Sequence, residues 1–146
     1  MKIFASMFLT LFALQAFASP VGVYYSPREE TDDGGYSPEK LTVVTSNAFM
    51  VELVFNGAKI VETVAVRIQG DKIIARVKPT PEAVWDCQGE QVTFEAITES
   101  GEFAIPYKVN SEGLTLDVPE GGVQTLARAN VAQIARIRNL PTCALK

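Results

Sequence analysis

Aromatic side chains with polar ends are the residues of this sequence best suited to binding. Tyr24, Tyr25 and Tyr36 lie in an N-terminal stretch rich in Pro, Gly, Ser and acidic residues, and Trp85 lies two residues before Cys87. Tyrosine and tryptophan concentrate at binding surfaces because each combines a large apolar face with a hydrogen-bonding group. The same residues also close the open ends of β folds as ordinary packing. The four are therefore candidate binding residues, although ordinary packing is the favoured alternative for the set and above all for Trp85.

Basic residues are concentrated at the C-terminal end of the chain. Residues 121–146 contain no acidic residue and four basic ones, among them Arg128, Arg136 and Arg138, whereas residues 19–120 contain 17 acidic and 8 basic residues, a net charge of −9. The three arginines are candidate contacts for an anionic envelope component. The favoured alternative is that the basic segment lies on the acidic body of the protein. An acidic chain of this kind is a poor candidate for nucleic-acid binding.

The sequence contains no histidine. This excludes Ser–His–Asp and Cys–His catalysis and the usual zinc sites. Two carboxylates can hydrolyse a glycosidic bond without histidine, but the acidic residues here form no recognisable constellation. Glu62 alone is predicted on an apolar strand face, and we expect the strand end to place it at the rim. The acidic stretch 29–35 does not match the ligand spacing of a calcium loop. We therefore predict no catalytic residue, metal or cofactor, and a non-enzymatic role is favoured although enzymatic activity is left open.

Two cysteines, Cys87 and Cys143, form an even pair. In an exported domain such a pair predicts one disulfide. The chain-entropy model assigns a bridge of this span about 4 kcal/mol of stabilisation.

The N-terminal residues have the layout of a secretory signal peptide. Lys2 precedes an apolar run that ends in Ala16-Phe17-Ala18, which predicts cleavage before Ser19. The apolar run is shorter than the ~20 residues that span a bilayer. We therefore predict a periplasmic or secreted protein that is not an integral membrane protein after signal cleavage. The predicted organisation is a signal peptide over 1–18, a loop-rich arm over 19–40 in which only residues 21–25 pair as a strand, and a single β domain over 41–146.

Two short turns predict β-hairpins in a defined register. Asn56-Gly57 fits a type I′ turn and Gly70-Asp71 a type II′ turn. They pair Leu53 with Ile60 and Ile68 with Ile73, so that apolar residues share one face. A third hairpin is predicted around Ser100-Gly101, pairing residues 92–98 with residues 103–109, and a fourth turn at 110–113 pairs residues 105–109 with 114–118.

Residues 123–140 lack the strand alternation of the preceding segments, and apolar residues recur every three positions at Val131, Ile134, Ile137 and Leu140. This spacing predicts an amphipathic helix that ends before Pro141, and a strand over 131–140 is the alternative. Val131, Ile134 and Ile137 are predicted to face inward. The connection over 79–89 separates two groups of strands.

The sequence therefore predicts a mainly β fold, an antiparallel meander forming a small sandwich or partly open barrel with a C-terminal helix. For function we favour an exported non-enzymatic binding or envelope accessory module, with an unknown protein or an anionic envelope component as its partner. The alternatives are a small carboxylate-dependent hydrolase of envelope polymers and a structural protein that pairs through a sheet edge.

Overall fold

The computed structural model describes residues 18–146. The predicted signal peptide lies outside the described residues, apart from Ala18. Thirteen strands and one helix form in the described part of the chain. In chain order they are β1 (Gly22–Ser26), β2 (Glu29–Glu30), β3 (Tyr36–Ser37), β4 (Glu39–Val44), β5 (Ala48–Phe55), β6 (Ala58–Gln69), β7 (Lys72–Val77), β8 (Ala83–Cys87), β9 (Glu90–Phe94), β10 (Gly101–Val109), β11 (Gly113–Val118), β12 (Gly122–Arg128), α1 (Val131–Arg138) and β13 (Ala144–Leu145).

Eight strands close into a barrel in the order β1-β12-β11-β10-β7-β6-β5-β4, and β4 pairs back to β1. All of these pairings are antiparallel. The mainly antiparallel β class with a C-terminal helix is therefore confirmed. Of the two architectures left open, the structure has the barrel, and its ring of strands is complete. β1 lies inside the segment expected to be a loop-rich arm, and it forms part of the barrel wall.

The two short hairpins adopt the predicted registers. Leu53 pairs with Ile60 and Ile68 pairs with Ile73. Asn56 and Gly57 both have positive φ, 50° and 78°, as a type I′ turn requires. Gly70 has a φ of 62° as the first central residue of its turn, as in type II′. Turn chemistry and side-chain alternation act over a few residues, which is why they determine these hairpins locally.

The hairpin predicted around Ser100-Gly101 is wrong. β9 pairs instead with β8, and β10 pairs with β7, so that Ile105 lies opposite Ile73. β10 then pairs with β11 through Tyr107 and Leu116, as predicted for the fourth turn. The apolar alternation of β10 fits either neighbour, and the barrel uses β7 because that pairing joins its two halves.

The barrel interior holds the main hydrophobic cluster. Its buried members are Tyr24, Val44, Val66, Ile73, Ala75, Ile105, Tyr107, Leu114, Leu116 and Leu126, and Phe49, Val64 and Ile68 pack against them. These residues come from every barrel strand. Burial of each large side chain contributes about 1.5–3 kcal/mol, so the interior is the main source of stability.

A second cluster lies under the three-stranded sheet β13-β8-β9, at the turn end of the β5–β6 hairpin. The predicted Cys87–Cys143 disulfide is present at its centre. The Lys59 amide donates to the Pro141 carbonyl at 2.9 Å, and the Cys143 amide donates to the Lys59 carbonyl at 2.8 Å. The C-terminal segment therefore lies against the edge of β6, and residues 79–89, expected to be a connection, contain strand β8.

The helix predicted over 123–140 is wrong in its first half, which forms β12 and closes the barrel between β11 and β1. The second half is helical, so the alternative strand over 131–140 is also wrong. Asn130 caps α1: its side chain accepts from the Gln133 amide, and the Gln133 side chain accepts from the Asn130 amide. Ile137 is fully buried as predicted, but Val131 is 84% exposed because it begins the helix on the solvent side.

Candidate functional site

β6 and β7 separate part of the way along their length. Ala65 and Arg76 form the last pair at this end of the two strands. Pro79 and Pro81 follow soon after on the β7 side. By the register, the even-numbered residues of β7 bond to β6 and the odd-numbered residues bond to β10, so the two prolines, which lack an amide hydrogen, limit the ladder with β10 rather than the one with β6. After β7 the chain turns away from β6, and Thr80 forms an isolated bridge with residue 97.

The separation opens a cleft of about 650 Å³, here called the β6–β7 wedge. Its walls are Asn47, Ala48, Glu62, Thr63, Val64, Ala65, Arg76, Val77, Lys78, Pro79, Thr80 and Ile97. The cleft narrows at the Ala65–Arg76 pair, where the two strands meet. The lining includes residues 62–65 of β6 and, beside them, Asn47 and Ala48 at the start of β5. Farther back along β6, outside the lining, the C-terminal segment pairs with β6 through Lys59 and Thr142. The edge of β6 between these two partners is here called the slot.

Main-chain groups of β6 face this slot. Phe55 and Ala58 close a two-residue turn, so they form a hydrogen-bonded pair, and every second residue from Ala58 onward bonds to β5. The residues between them direct their amide and carbonyl groups to the opposite side. Lys59 does so and bonds to the C-terminal segment. By the same alternation Val61 and Thr63 direct their amides and carbonyls to the side of β6 away from β5, where no backbone partner from residues 18–146 meets them. Thr63 lines the wedge, and Val61 lies just beyond its lining.

The charges at the wedge are two bases and one acid. Glu62 is exposed at the rim, as expected from the sequence, and Arg76 and Lys78 stand on the opposite wall. An Arg76 guanidinium nitrogen lies 3.6 Å from a Glu102 oxygen, and the same carboxylate accepts a hydrogen bond from Arg67. That bond holds the pKa of Glu102 below its ordinary value. Among the described residues Lys78 forms no ion pair.

Apolar side chains complete the wedge. Val64 and Val77 are partly buried in its walls, and Ile97 is 44% exposed at its edge. Val61, on the strand edge itself, is 37% exposed. The wedge therefore offers unpaired main-chain donors and acceptors, a few apolar contacts and an excess of positive charge.

A second concavity, here called the tyrosine hollow, is lined by Arg28, Tyr36, Glu39, Val54, Asn56 and Glu90 and has a volume of about 450 Å³. The Tyr36 hydroxyl donates to a Glu90 oxygen at 2.9 Å, which raises the pKa of that tyrosine. The Arg28 guanidinium lies over the Tyr36 ring, 4.1 Å from its centre. The exposed ring face is therefore covered by this cation.

Glu39, at the start of β4, joins two of the predicted site residues. Arg136 donates to both of its carboxylate oxygens, at 2.9 and 2.6 Å, and the Tyr25 hydroxyl donates to one of them. The bonds from Arg136 and then from Tyr25 lower the pKa of Glu39, and the bond to Glu39 raises the pKa of Tyr25. Since both oxygens are occupied and the acid form is disfavoured, Glu39 is unsuited to act as a general acid.

The structure places Tyr36 in the lining of the tyrosine hollow, and it brings Tyr25 and Arg136 onto Glu39, which also lines the hollow. Of the remaining candidates, Tyr24 and Arg128 lie beside each other in the β1–β12 pairing, Trp85 packs at the disulfide cluster and Arg138 lies at the end of α1. Tyr24 is fully buried in the barrel, donates its hydroxyl to the Pro20 carbonyl at 2.7 Å, and has its pKa raised by burial.

Arg128 and Arg138 have different surroundings. The Arg128 guanidinium lies 5.6 Å from the Tyr24 ring centre. The Arg138 side chain is exposed at the end of α1. The ion pair of Arg136 with Glu39 confirms, for that residue, that the basic segment lies on the acidic body.

Trp85 packs against the cluster around the disulfide. Its indole Nε1 is buried and has no hydrogen-bond partner in the described part of the chain. A buried indole amide without a partner costs stability, and the packing alternative describes this residue best.

No group of three or more Asp, Glu, Cys or His residues able to hold a metal ion occurs within residues 18–146. In the same part of the chain no helix has the length and hydropathy needed to cross a bilayer. Comparison with protein-family models, with curated proteins and with solved structures finds no match.

Sequence reasoning did not find the β6–β7 wedge. Its one visible signal is the pair Pro79 and Pro81 close after an apolar strand, which marks the end of a ladder. That β6 continues without β7 for several residues depends on the barrel closure, a long-range property. The hollow residues Arg28 and Glu90 were also missed, since residues far apart in sequence meet only in the folded chain.

Proposed function

We propose that this protein is an exported, non-enzymatic binding module that takes up an extended segment of a partner protein along the free edge of β6. The observation that carries the proposal is the outward direction of the amide and carbonyl groups of Val61 and Thr63. Extended peptides recognise such an edge by adding a strand to it. The proposal joins two functions considered from the sequence, a binding module and a protein that pairs through a sheet edge.

The neighbours of the free edge support a strand as the occupant. On the same side of β6, the C-terminal segment bonds to Lys59 and β7 pairs with Ala65. Both lie at the normal spacing of neighbouring strands, about 4.8 Å. Along this edge β6 has a strand partner at Lys59 and another at Ala65, and a bound segment would fill the gap between these two partners. Between Lys59 and Ala65 there is room for about four extended residues, at ~3.3 Å each.

A second free edge is less suitable. β9 is the outer strand of the sheet β13-β8-β9, and Gln91 and Thr93 direct their main-chain groups away from β8. Neither Gln91 nor Thr93 lines the wedge or the tyrosine hollow. It therefore provides the matched control for the wedge.

A carboxylate-dependent hydrolase is less well supported. The tyrosine hollow contains Glu39 and Glu90, the pair of acids that such an enzyme would need. Glu39, however, is bonded through both oxygens, and the pKa of its carboxyl is lowered. Neither property suits proton donation to a leaving group.

Export is part of the proposal. A disulfide is compatible with an oxidising compartment such as a periplasm or the cell exterior. The signal features of residues 1–18 support the same location.

The experiment uses the ¹⁵N-labelled protein from Ser19 to Lys146 and N-acetylated pentapeptides of alternating Val and Thr with a free carboxyl end. Before peptide is added, the amides of Val61 and Thr63 should exchange with solvent rapidly, while those of Ile60 and Val64 are protected. Peptide should protect Val61 and Thr63. Protection of these two amides in the free protein, or unchanged exchange at saturating peptide, would overturn the proposal.

Thr63→Pro tests the edge directly, because it removes an amide hydrogen that β5 does not use and places the ring in the slot. Thr93→Pro makes the same change on the free edge of β9. We expect Thr63→Pro to abolish peptide binding and Thr93→Pro to leave it unchanged, with both barrels folded by circular dichroism. Equal loss in both variants would show that the wedge has no special role.

A further inference from the structure

We infer that the partner segment enters the β6–β7 wedge as a free C-terminus, runs parallel to β6 and places its carboxylate near Lys78 and Arg76. This inference rests on the proposed function and specifies the partner. It follows from the shape of the slot, from the charges at its narrow end and from the direction of the segment that already pairs with β6.

The slot has a closed end. Where Ala65 pairs with Arg76, the position beside β6 is filled by β7. A partner strand that follows β6 toward this pair must therefore turn away or stop. A chain that ends there needs no turn, and the convergence of the two strands leaves space for its last residue.

The charge at the closed end favours a carboxylate over an ammonium group. Lys78 and Arg76 stand on the β7 wall, and among the described residues Lys78 is without an ion pair. Arg76 lies 3.6 Å from the Glu102 carboxylate, a long contact, and its side chain is 60% exposed. Glu62 is the one acidic residue among those that line the wedge. A terminal carboxylate would be held by charge-assisted hydrogen bonds from such donors.

The direction of the partner segment is fixed by placing its C-terminus at the Ala65–Arg76 pair, where β6 and β7 meet. A chain with its C-terminus beside Ala65 runs parallel to β6. The C-terminal segment of this protein already does so, since Thr142 pairs with Lys59 in the parallel sense. A parallel occupant would thus follow the same direction along the same edge.

Two peptides of the same alternating Val and Thr sequence test this inference, one with a free carboxyl end and one amidated. The free acid should bind more tightly than the amide by up to about fivefold, the factor that one exposed ion pair provides. Lys78→Gln should remove most of that difference. Lys72→Gln, at the other end of β7 and outside the wedge, should preserve it. A spin label on the peptide N-terminus should broaden the signal of Thr142 more strongly than that of Arg76.

The outcomes separate this inference from the proposed function. Equal binding of acid and amide, both abolished by Thr63→Pro, would retain the edge and overturn the C-terminal inference. Stronger broadening of Arg76 than of Thr142 by the N-terminal label would overturn the parallel direction. Failure of both peptides to change Val61 and Thr63 would overturn the proposed function as well.

Discussion

The ammonium group of Lys59 lies 2.8 Å from a carboxylate oxygen of Glu52, and it also donates to the carbonyl of Arg138 at 2.9 Å. Both side chains are on the outward side of the barrel, yet Glu52 is 6% and Lys59 9% exposed. The ion pair therefore lies beneath the C-terminal end of α1. A cation at this end of a helix is favourable, because the last carbonyls carry partial negative charge.

Breaking this ion pair at one partner should be costly. Lys59→Met leaves the Glu52 carboxylate buried without its cation, and such losses amount to about 3–5 kcal/mol. The double variant Glu52→Leu with Lys59→Met should be more stable than the sum of the single changes indicates. Urea unfolding of the three variants measures this coupling. The exposed pair of Arg67 and Glu102 is the control, since Arg67→Gln should change stability little. Additive effects of the two buried substitutions would contradict the prediction.

Removal of the disulfide should lengthen the free edge of β6. Replacing Cys87 and Cys143 with Ser should lower the free energy of unfolding by a few kcal/mol, about 2–5 for a native bridge. The C-terminal segment would then be released from Lys59, whose amide is bonded to Pro141. Thermal melts measure the stability and amide exchange measures the release. Unchanged protection of the Lys59 amide in the Ser variant would show that the segment holds to β6 without the bridge.

The turn at Asn56-Gly57 should tolerate a β-branched residue poorly. Gly57 has a φ of 78°, and a Cβ there would lie 3.2 Å from the Gln88 side-chain oxygen. Gly57→Val should destabilise by about 1 kcal/mol or more. Gly101→Val is the matched control, because no atom lies within 4 Å of its added Cβ and its φ is ordinary for a side chain. Equal effects of the two substitutions on urea unfolding would refute the assigned turn.

The ion pair of Glu39 and Arg136 should make stability depend on pH in the acid range. The pKa of Glu39 is lowered in the folded chain from a reference value of 4.5. The stabilisation by this ion pair is therefore fully present above pH 4.5, and it is lost as the pH falls through the lower pKa of Glu39 in the folded chain. Since Arg136 is half exposed, the contribution should be about 1 kcal/mol or less.

Glu39→Gln tests this contribution by flattening the pH dependence of urea unfolding between neutral pH and pH 3. Arg136→Gln should do the same, whereas Arg138→Gln, exposed at the end of α1, should not. A steeper loss of stability toward acid pH in Glu39→Gln than in the unsubstituted protein would contradict the prediction.

The export prediction has a direct measurement. Mass spectrometry of protein recovered from a periplasmic or secreted fraction should find Ser19 at the N-terminus, because Ala16-Phe17-Ala18 fits a signal-peptidase site. Retention of residues 1–18 in the exported product would contradict it and would also weaken the proposed compartment.

The parts of the fold that could be predicted are those determined by neighbouring residues. The turns at Asn56-Gly57 and Gly70-Asp71 fix two hairpins because their backbone angles and the apolar alternation of the flanking strands agree. The pairing of β10 with β7 could not be derived in this way. Many strands share one alternation, and the choice among them depends on the whole barrel.

The candidate site shows the same division. Tyr25, Tyr36 and Arg136 could be selected by residue type, but their carboxylate partners Glu39 and Glu90 are ordinary acidic residues in the sequence. The wedge is less visible still, because its main feature is the direction of backbone groups at Val61 and Thr63. The residue types in the sequence do not indicate which strand edge is left without a neighbouring strand.

Closure of the barrel joins Tyr24 of β1 to Arg128 of β12, at nearly opposite ends of the described chain. The ring cannot form while a ribosome or a translocation pore still holds the last strand. Until then β1 and β11 each lack a neighbour, and the interior is open to water. Barrels dominated by such distant pairings fold slowly and expose unpaired edges while they do so. Under the proposed export, the chain should therefore remain translocation-competent throughout synthesis, and it should be most prone to aggregation just before β12 is released.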